Sequence, residues 1–316
     1  MKIANIDLIG DAILAPIAGF TDVGFRDIAV KYGASLTITE MISCKGMVYG
    51  SEKTKELLAT TDNERVKAVQ VFGSDPQIMA KACTMPEMDK FHIIDINMGC
   101  PVPKIVGNGE GSALLNNPKL AMEVVKSIKS ATGKVVTVKF RKGFKKGENV
   151  AVDFAKYMQD AGADCITIHG RCREDYYTGL ADWDTIAKAV QSVEIPVIAN
   201  GDVVDFESYE RIKKHTGAAG VMIARGSLGN PKIFKEIADN TTKIATIFEN
   251  VDKKRDILTQ IDTLKDYYSE RYIYSNMKKH ICYYLKGMQG GKQIKDAVCH
   301  VESVKKLEEI VNKIDF

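Results

Sequence analysis

The sequence predicts an α/β fold of eight strand–helix units followed by a small all-α region, and three observations predict it. Short apolar runs recur through residues 13–224. Helical patterns separate most of them. After about residue 240 the strand pattern stops and amphipathic periodicity takes over. Runs apolar on both faces suit parallel strands covered by helices. Eight such units in about 240 residues match the size of a (β/α)8 TIM barrel. An open doubly wound sheet is the alternative. Eight runs without a G-x-G-x-x-G favour closure.

In order, the runs are ILAPI (13–17), SLTIT (35–39), AVQVF (68–72), IIDIN (93–97), VVTVKF (135–140), CITIH (165–169), IPVIAN (195–200) and GVMIA (220–224). Helical patterns lie between them at 118–131, 149–162 and 206–217. Three further stretches, 242–272, 277–288 and 292–314, read as amphipathic helices around a turn at QGGK (289–292). The expected division is 1–244 for the barrel and 245–316 for the helical domain.

Composition narrows the class. At 316 residues the chain is 45% hydrophobic and 27% charged, with net charge +3, ordinary for a soluble globular protein. No apolar run approaches the ~18 residues of a membrane span. The opening MKIANIDLIGD has one Lys and early acids, unlike a secretory signal. Seven scattered cysteines form no C-x-x-C pair. Reduced thiols in the cytoplasm are expected, with no disulfide framework and no metal site.

In such barrels the chemistry sits where strands end. The residues there are Pro16-Ile17-Ala18-Gly19, Glu40-Met41, Gln70, Asn97 to Pro101, Lys139 with Arg141, His169 to Arg171, Asn200-Gly201-Asp202 and Ala224-Arg225-Gly226. Nearly every strand delivers a hydrogen-bonding group to one rim, which suits a flat polar ligand. The glycines after runs seven and eight suit a phosphate, with Arg225 adding charge. Lys139 reads as a Schiff-base lysine, as a cation against the N1/O2 side of a flavin, or as a snorkelling surface lysine. His169 reads as a core histidine or a partner for a ring. Glu40 reads as a helix cap. Cys83, Cys165, Cys282 and Cys299 read as buried small hydrophobes. Cys44 and Cys172 stay ambiguous. Cys100 stands apart. It sits in a long Gly-rich segment, MGCPVPKIVGNGEGSALLNNP (98–118), expected to form a lid carrying a reactive thiol.

A family resemblance covers about residues 12–235. APIAGFTDVGFR (15–26), TEMIS (39–43), VQVFGSDP (69–76), IDINMGCPVPKIV (94–106), GEGSALL (109–115), VKFRKG (138–143), ITIHGRCREDYYTGLADW (166–183), PVIANGD (196–202) and MIARGSLGNPKIF (222–234) resemble the tRNA-dihydrouridine synthases, the bacterial B-type branch above all. The resemblance implies an FMN-dependent reduction of the uridine 5,6 double bond in tRNA, with NADPH or NADH as reductant. It leaves ribosomal RNA open as a substrate, and no membrane or obligate protein partner is implied. By position, Pro16, Ile17, Ala18, Gln70, Lys139, Asn200, Gly201, Asp202, Ala224 and Arg225 would bind FMN, with Gly226 beside them. His169 would lie beside the flavin, and Cys100 would be the proton donor. Asn97 would contact the uracil edge and Arg171 the substrate or its phosphate. Arg173, Tyr176 and Tyr177 would form a rim patch, with Lys142, Lys145 and Lys146 near it.

RNA contacts outside the pocket need charge and stacking surface. Residues 271–306 hold Arg271, Lys278, Lys279, Lys286, Lys292, Lys295, Lys305 and Lys306 against Asp296 and Glu302, with tyrosines interleaved. A solvated helix face with core tyrosines is the other reading. Three rival functions remain at this point: an FMN reductase of free pyrimidines, similar to the dihydroorotate dehydrogenases; an RNA-binding barrel without activity; and a Schiff-base aldolase through Lys139.

Overall fold

The computed structural model describes residues 1–239 and 249–316. Eight parallel strands close on themselves: β1 (Ala12–Leu14), β2 (Leu36–Ile38), β3 (Lys67–Phe72), β4 (Ile93–Met98), β5 (Val135–Gly143), β6 (Cys165–Cys172), β7 (Val197–Asn200) and β8 (Gly220–Ile223). β1 pairs with both β2 and β8, and β2 pairs with β3, so the sheet is a barrel and the open-sheet alternative falls. A short strand at Ile42–Ser43 adds to the far end of β3.

Each strand is followed by a helix: α1 (Val23–Lys31), α2 (Cys44–Val48), α3 (Pro76–Cys83), α4 (Pro118–Thr132), α5 (Ala151–Asp160), α6 (Trp183–Val190), α7 (Phe206–Thr216) and α8 (Ile233–Ala238). Local chemistry sets several starts. Asp22, Asp75, Asn117, Asp182 and Asp205 accept hydrogen bonds from the first-turn amides of α1, α3, α4, α6 and α7. Gly133 and Gly217 close α4 and α7 in the left-handed conformation.

An antiparallel hairpin, Lys2–Ile3 with Ile6–Asp7, precedes the barrel. The sequence reading missed it. Its Ile3 and nearby Leu8 pack with Ile13, Ile93, Val135, Cys165, Ile198 and Met222, so it plugs the N-terminal end of the barrel with apolar side chains.

The C-terminal helices are α9 (Glu249–Lys265), α10 (Glu270–Tyr284), α11 (Gly291–Cys299) and α12 (Val304–Lys313). The single helical pattern at 292–314 is two helices, because Ser303 caps a new start by accepting from Lys306 N. Ser269 likewise separates α9 from α10. Ile257, Ile261, Met277, Ile281, Leu307 and Val311 form their core, joined by Val23 of α1. The expected boundary at 244/245 lies outside the described residues. None of the described helices is long and apolar enough to cross a membrane.

Candidate active site

Residues two apart on a strand share a face. On β4 the inward face carries Ile93, Asp95 and Asn97. On β5 it carries Val135, Thr137, Lys139 and Arg141. On β6 it carries Cys165, Thr167, His169 and Arg171. The first member of each series is apolar and lies in the plugged end. The later members are polar and approach the strand C-termini. The barrel interior thus turns from greasy to hydrogen-bonding along its axis.

Two cavities open at the polar end. One, of about 350 Å³, is lined by Pro16, Ile17, Ala18, Gln70, Asn97, Cys100, Lys139, Arg141, His169 and Tyr176. The other, of about 420 Å³, is lined by Arg171, Gly201, Asp202, Gly226, Tyr283 and Lys286. They share His169, Tyr177, Asn200, Ala224 and Arg225, so they form one continuous mouth. Tyr177 lies between them, its ring under the guanidinium of Arg225 at 4.5 Å and near that of Arg141 at 5.7 Å.

The mouth is cationic. Lys139 is drawn inward and makes one hydrogen bond among the described residues, to Asn200 Oδ1 at 3.0 Å. Asn200 is aimed by its own donation to Met222 O at 2.8 Å. Burial, aided by Arg141, lowers the Lys139 ammonium to about 8. His169 is held well below its usual value by burial and by Arg141, Lys139, Arg171 and Arg225. It is therefore a neutral ring. Three charge-bearing hydrogens on Lys139 and one protein acceptor leave room for an anionic acceptor in the cavity. That environment fits a flavin, whose N1/O2 edge becomes anionic on reduction.

Cys100 lines the same cavity, half-buried. Burial pushes its thiol up, against smaller opposing effects from the Val102 amide and Arg141. The thiol stays protonated at neutral pH. Its backbone is fixed on both sides: Asn97 Oδ1 accepts from Cys100 N at 2.9 Å, and Ser112 Oγ donates to Cys100 O at 2.8 Å. A Cβ at Gly111 would lie 3.1 Å from both Cys100 Cβ and its carbonyl oxygen, a tight approach, and the φ of +59° there favours glycine. The segment expected to be one long lid is therefore anchored in its second half. Ser112, Leu114 and Leu115 are buried, while 101–109 stays at the surface, as do Asn116 and Asn117.

Several expected ligand residues turn to the protein instead. Arg171 is buried and donates to Thr178 O, Gly179 O and Asp202 Oδ1 (2.6 Å). This tie holds the β6 loop to the β7 loop, with Arg171 still lining the mouth. Asp202 accepts a second bond from Ala181 N, so its carboxylate is fixed between the two loops while the residue still lines the mouth. Gly226 is required by packing, since a Cβ there would lie 2.2 Å from Val203 O. Glu40 caps no helix; it accepts from Gly19 N at 2.5 Å and braces the loop holding Pro16 to Ala18.

Other assignments also shift. Arg173 stacks on Phe144 and Tyr176 at the rim. Lys278 and Lys279 donate to Cys299 O and Gly19 O, while Lys286 stands exposed at the mouth. Cys44 and Cys172 are buried, Cys282 is half-buried and Cys299 is exposed. Tyr284 is a core residue. Asp95 carries no site assignment in the sequence analysis, and Arg141 appears there only as a strand-end neighbour of Lys139. The alternation in IIDINM and VTVKFR was the signal that places them on the inner face.

The family profile described as "Dihydrouridine synthase (Dus)" matches residues 13–315. The chain belongs to the dihydrouridine synthase family. The family's members are flavin-dependent oxidoreductases, and the helical region falls within the match, beyond the stretch that carried the sequence resemblance. The chain is 36% identical over 288 residues to tRNA-dihydrouridine synthase B of Shewanella oneidensis, covering 90% of this chain and 89% of that one. It is 35% identical over 302 residues to a probable tRNA-dihydrouridine synthase of Rickettsia conorii, covering 94% and 91%. Among solved structures, a 2-naphthoyl-CoA reductase superposes with TM-score 0.61 at 12% identity, over 79% of this chain and 52% of that one. Histamine dehydrogenase from a Rhizobium species gives 0.59 at 13%, over 83% and 50%. At such identity these two share the barrel fold and nothing finer.

Proposed function

We propose that this dihydrouridine synthase reduces the 5,6 double bond of uridine in tRNA, with FMN in the barrel mouth, NADPH or NADH as reductant, and Cys100 as the acid. The observation that carries the reading is a protonated thiol lining the same cavity as an inward lysine with one protein acceptor.

Pro16, Ile17, Ala18, Gln70, Lys139, His169, Asn200, Ala224 and Arg225 would hold the flavin. The backbone of Gly201, Asp202 and Gly226, with Arg225, would take its phosphate. Bound flavin supplies the hydride that the uracil C6 accepts. Lys139 places positive charge where the cofactor becomes anionic. His169, neutral, adds a ring and a polar edge without further charge. Negative charge develops at C5 and O4 of the uracil, and Cys100 Sγ holds the proton that C5 takes. A depressed thiol pKa would empty that site of its proton. The direction here is the opposite.

The cavity lies inside the barrel mouth, so a folded RNA must present its uridine extruded. Lys286 at the mouth, Lys278 and Lys279 beside it, and Arg173 and Tyr176 on the other rim supply charge and stacking surface around that entry. The helical region is proposed as the RNA platform. The cytoplasm is where both the reduced thiols and the substrate are found.

The test is single-turnover reoxidation of the reduced flavoprotein by tRNA without oxygen. Cys100→Ala is expected to keep its flavin and lose about 100-fold or more in rate, the usual weight of a positioned acid. Near-normal reoxidation with product formation by the variant would remove Cys100 from the acid role.

A further inference from the structure

Beneath the mouth lies a chain of hydrogen bonds that ends at Cys100 and begins at a residue with no assigned role. Asp95 is fully buried on β4. It accepts from Thr137 Oγ1 at 2.6 Å and from Gln70 Nε2 at 2.7 Å. Gln70 Oε1 accepts from Asn97 Nδ2 at 2.8 Å. Asn97 Oδ1 accepts from Gly99 N at 3.1 Å and Cys100 N at 2.9 Å. Every donor in the series points toward Asp95.

That direction is not arbitrary. A carboxylate can only accept, whereas a side-chain amide carries both a donor and an acceptor end. Asp95 therefore dictates which end of Gln70 faces it. Gln70 then presents its oxygen to Asn97, and Asn97 must present its own oxygen to the turn. Only that orientation satisfies the two backbone N–H groups before the thiol. Reversing Asn97 would set an NH₂ against both of them. From the other side, Arg141 Nε holds Gly99 O at 2.9 Å.

We propose that Asp95 is a positioning residue for the reaction: by fixing the amide polarity of Gln70 and Asn97 it sets both the cofactor-facing Gln70 and the mount of Cys100. The inference rests on the proposed roles of Gln70 and Cys100, and it gives Asn97, which also lines the cavity, a second task as support of the turn. Burial raises Asp95 to about 6, opposed by Gln70, Thr137 and Lys139, so the carboxylate form prevails at neutral pH.

The test uses the flavin-loaded enzyme and two readouts. The first is alkylation of Cys100 by iodoacetamide without RNA, followed by mass spectrometry of its peptide. The second is steady-state turnover on tRNA. Asp95→Leu removes the acceptor at similar volume. It is expected to change the alkylation rate at least about fivefold and to lower kcat at least about tenfold, with KM for tRNA within about twofold. Asp95→Asn, which keeps one acceptor oxygen, is expected to recover much of both. If Asp95→Leu does not fold, Gln70→Leu breaks the same chain one link nearer the thiol, and there the alkylation rate alone is read, because Gln70 also faces the proposed flavin site. Wild-type alkylation in the folded variant overturns the proposal, even if turnover falls, because the effect would then not pass through Cys100. The alkylation readout stands without turnover, so a wild-type enzyme inactive on RNA would sink the proposed function and leave this test intact.

Discussion

At the scale of single residues, the site works by holding charges and protons where bulk water would not. Lys139 shows the sign of the effect. Its folded pKa, about 8, lies below its ordinary 10.5. Between those values the unfolded chain binds more protons than the native one, so this group's contribution to stability rises with pH across that window. Cofactor binding runs the other way. The ammonium is present below about 8 and lost above it, so FMN affinity of the wild-type apoprotein is expected to fall as pH rises through that region. Lys139→Met is expected to bind more weakly and to lose that pH dependence. Fluorescence titration of FMN from pH 6 to 10 checks both, and an unchanged pH dependence in the variant would remove Lys139 from the contact. Much of this was legible in the sequence, since Lys139, His169 and Asn200 stand at the ends of apolar runs. The pairing of Arg171 with Asp202 was not. The two are far apart in sequence, and each alone reads as a ligand group.

Secondary-structure elements explain why the mouth is so firmly built on one side. The loop between β1 and α1 carries Pro16 to Ala18 and is gripped by α10. Lys279 donates to Gly19 O, and Phe20 packs edge-on against His280 and Tyr283. Asp22 caps α1 and also accepts from Asn276 Nδ2 at 2.5 Å and Gln260 Nε2 at 3.3 Å, with His280 Nε2 at 3.4 Å. The carboxylate is buried. Asp22→Ala would leave buried donors on three elements without their acceptor. It is expected to cost roughly 2–4 kcal/mol and to loosen the helical region from the barrel, read by thermal unfolding. A wild-type midpoint would show that the packing of Val23 and Leu264 suffices alone. The strands and long helices were legible because their periodicity is strong. The hairpin at 2–7 and the break before Val304 were not, since two-residue strands and a single serine cap leave little periodic signal.

For the whole molecule, the plan is a barrel whose plugged end gives stability and whose open end gathers Lys139, Arg141, Arg171 and Arg225, with helices α9 to α12 set beside that end. Closure of the sheet follows from eight buried parallel runs, which is why the architecture was readable before any coordinate. How the helices sit on the barrel was not, because that depends on single contacts such as Gly24 against Gln260, where a Cβ would come within 3.0 Å. If the helical region is the RNA platform, Lys286→Glu is expected to weaken tRNA binding and flatten its salt dependence, and adding Lys278→Glu and Lys279→Glu is expected to reduce the slope by about 2 in all. Lys286 makes no side-chain hydrogen bond among the described residues, so its single variant tests charge without disturbing a tie. Unchanged affinity in the triple variant would move the platform to the Arg173–Tyr176 rim. The central claim, reduction of uridine in tRNA, is tested most directly by nucleoside mass spectrometry with site mapping. The flavin-loaded protein is incubated with NADPH and with tRNA and rRNA lacking dihydrouridine. Dihydrouridine at defined tRNA positions, absent with Cys100→Ala, is the expected result; no dihydrouridine in tRNA, with product only in rRNA or from free pyrimidines, would contradict the account.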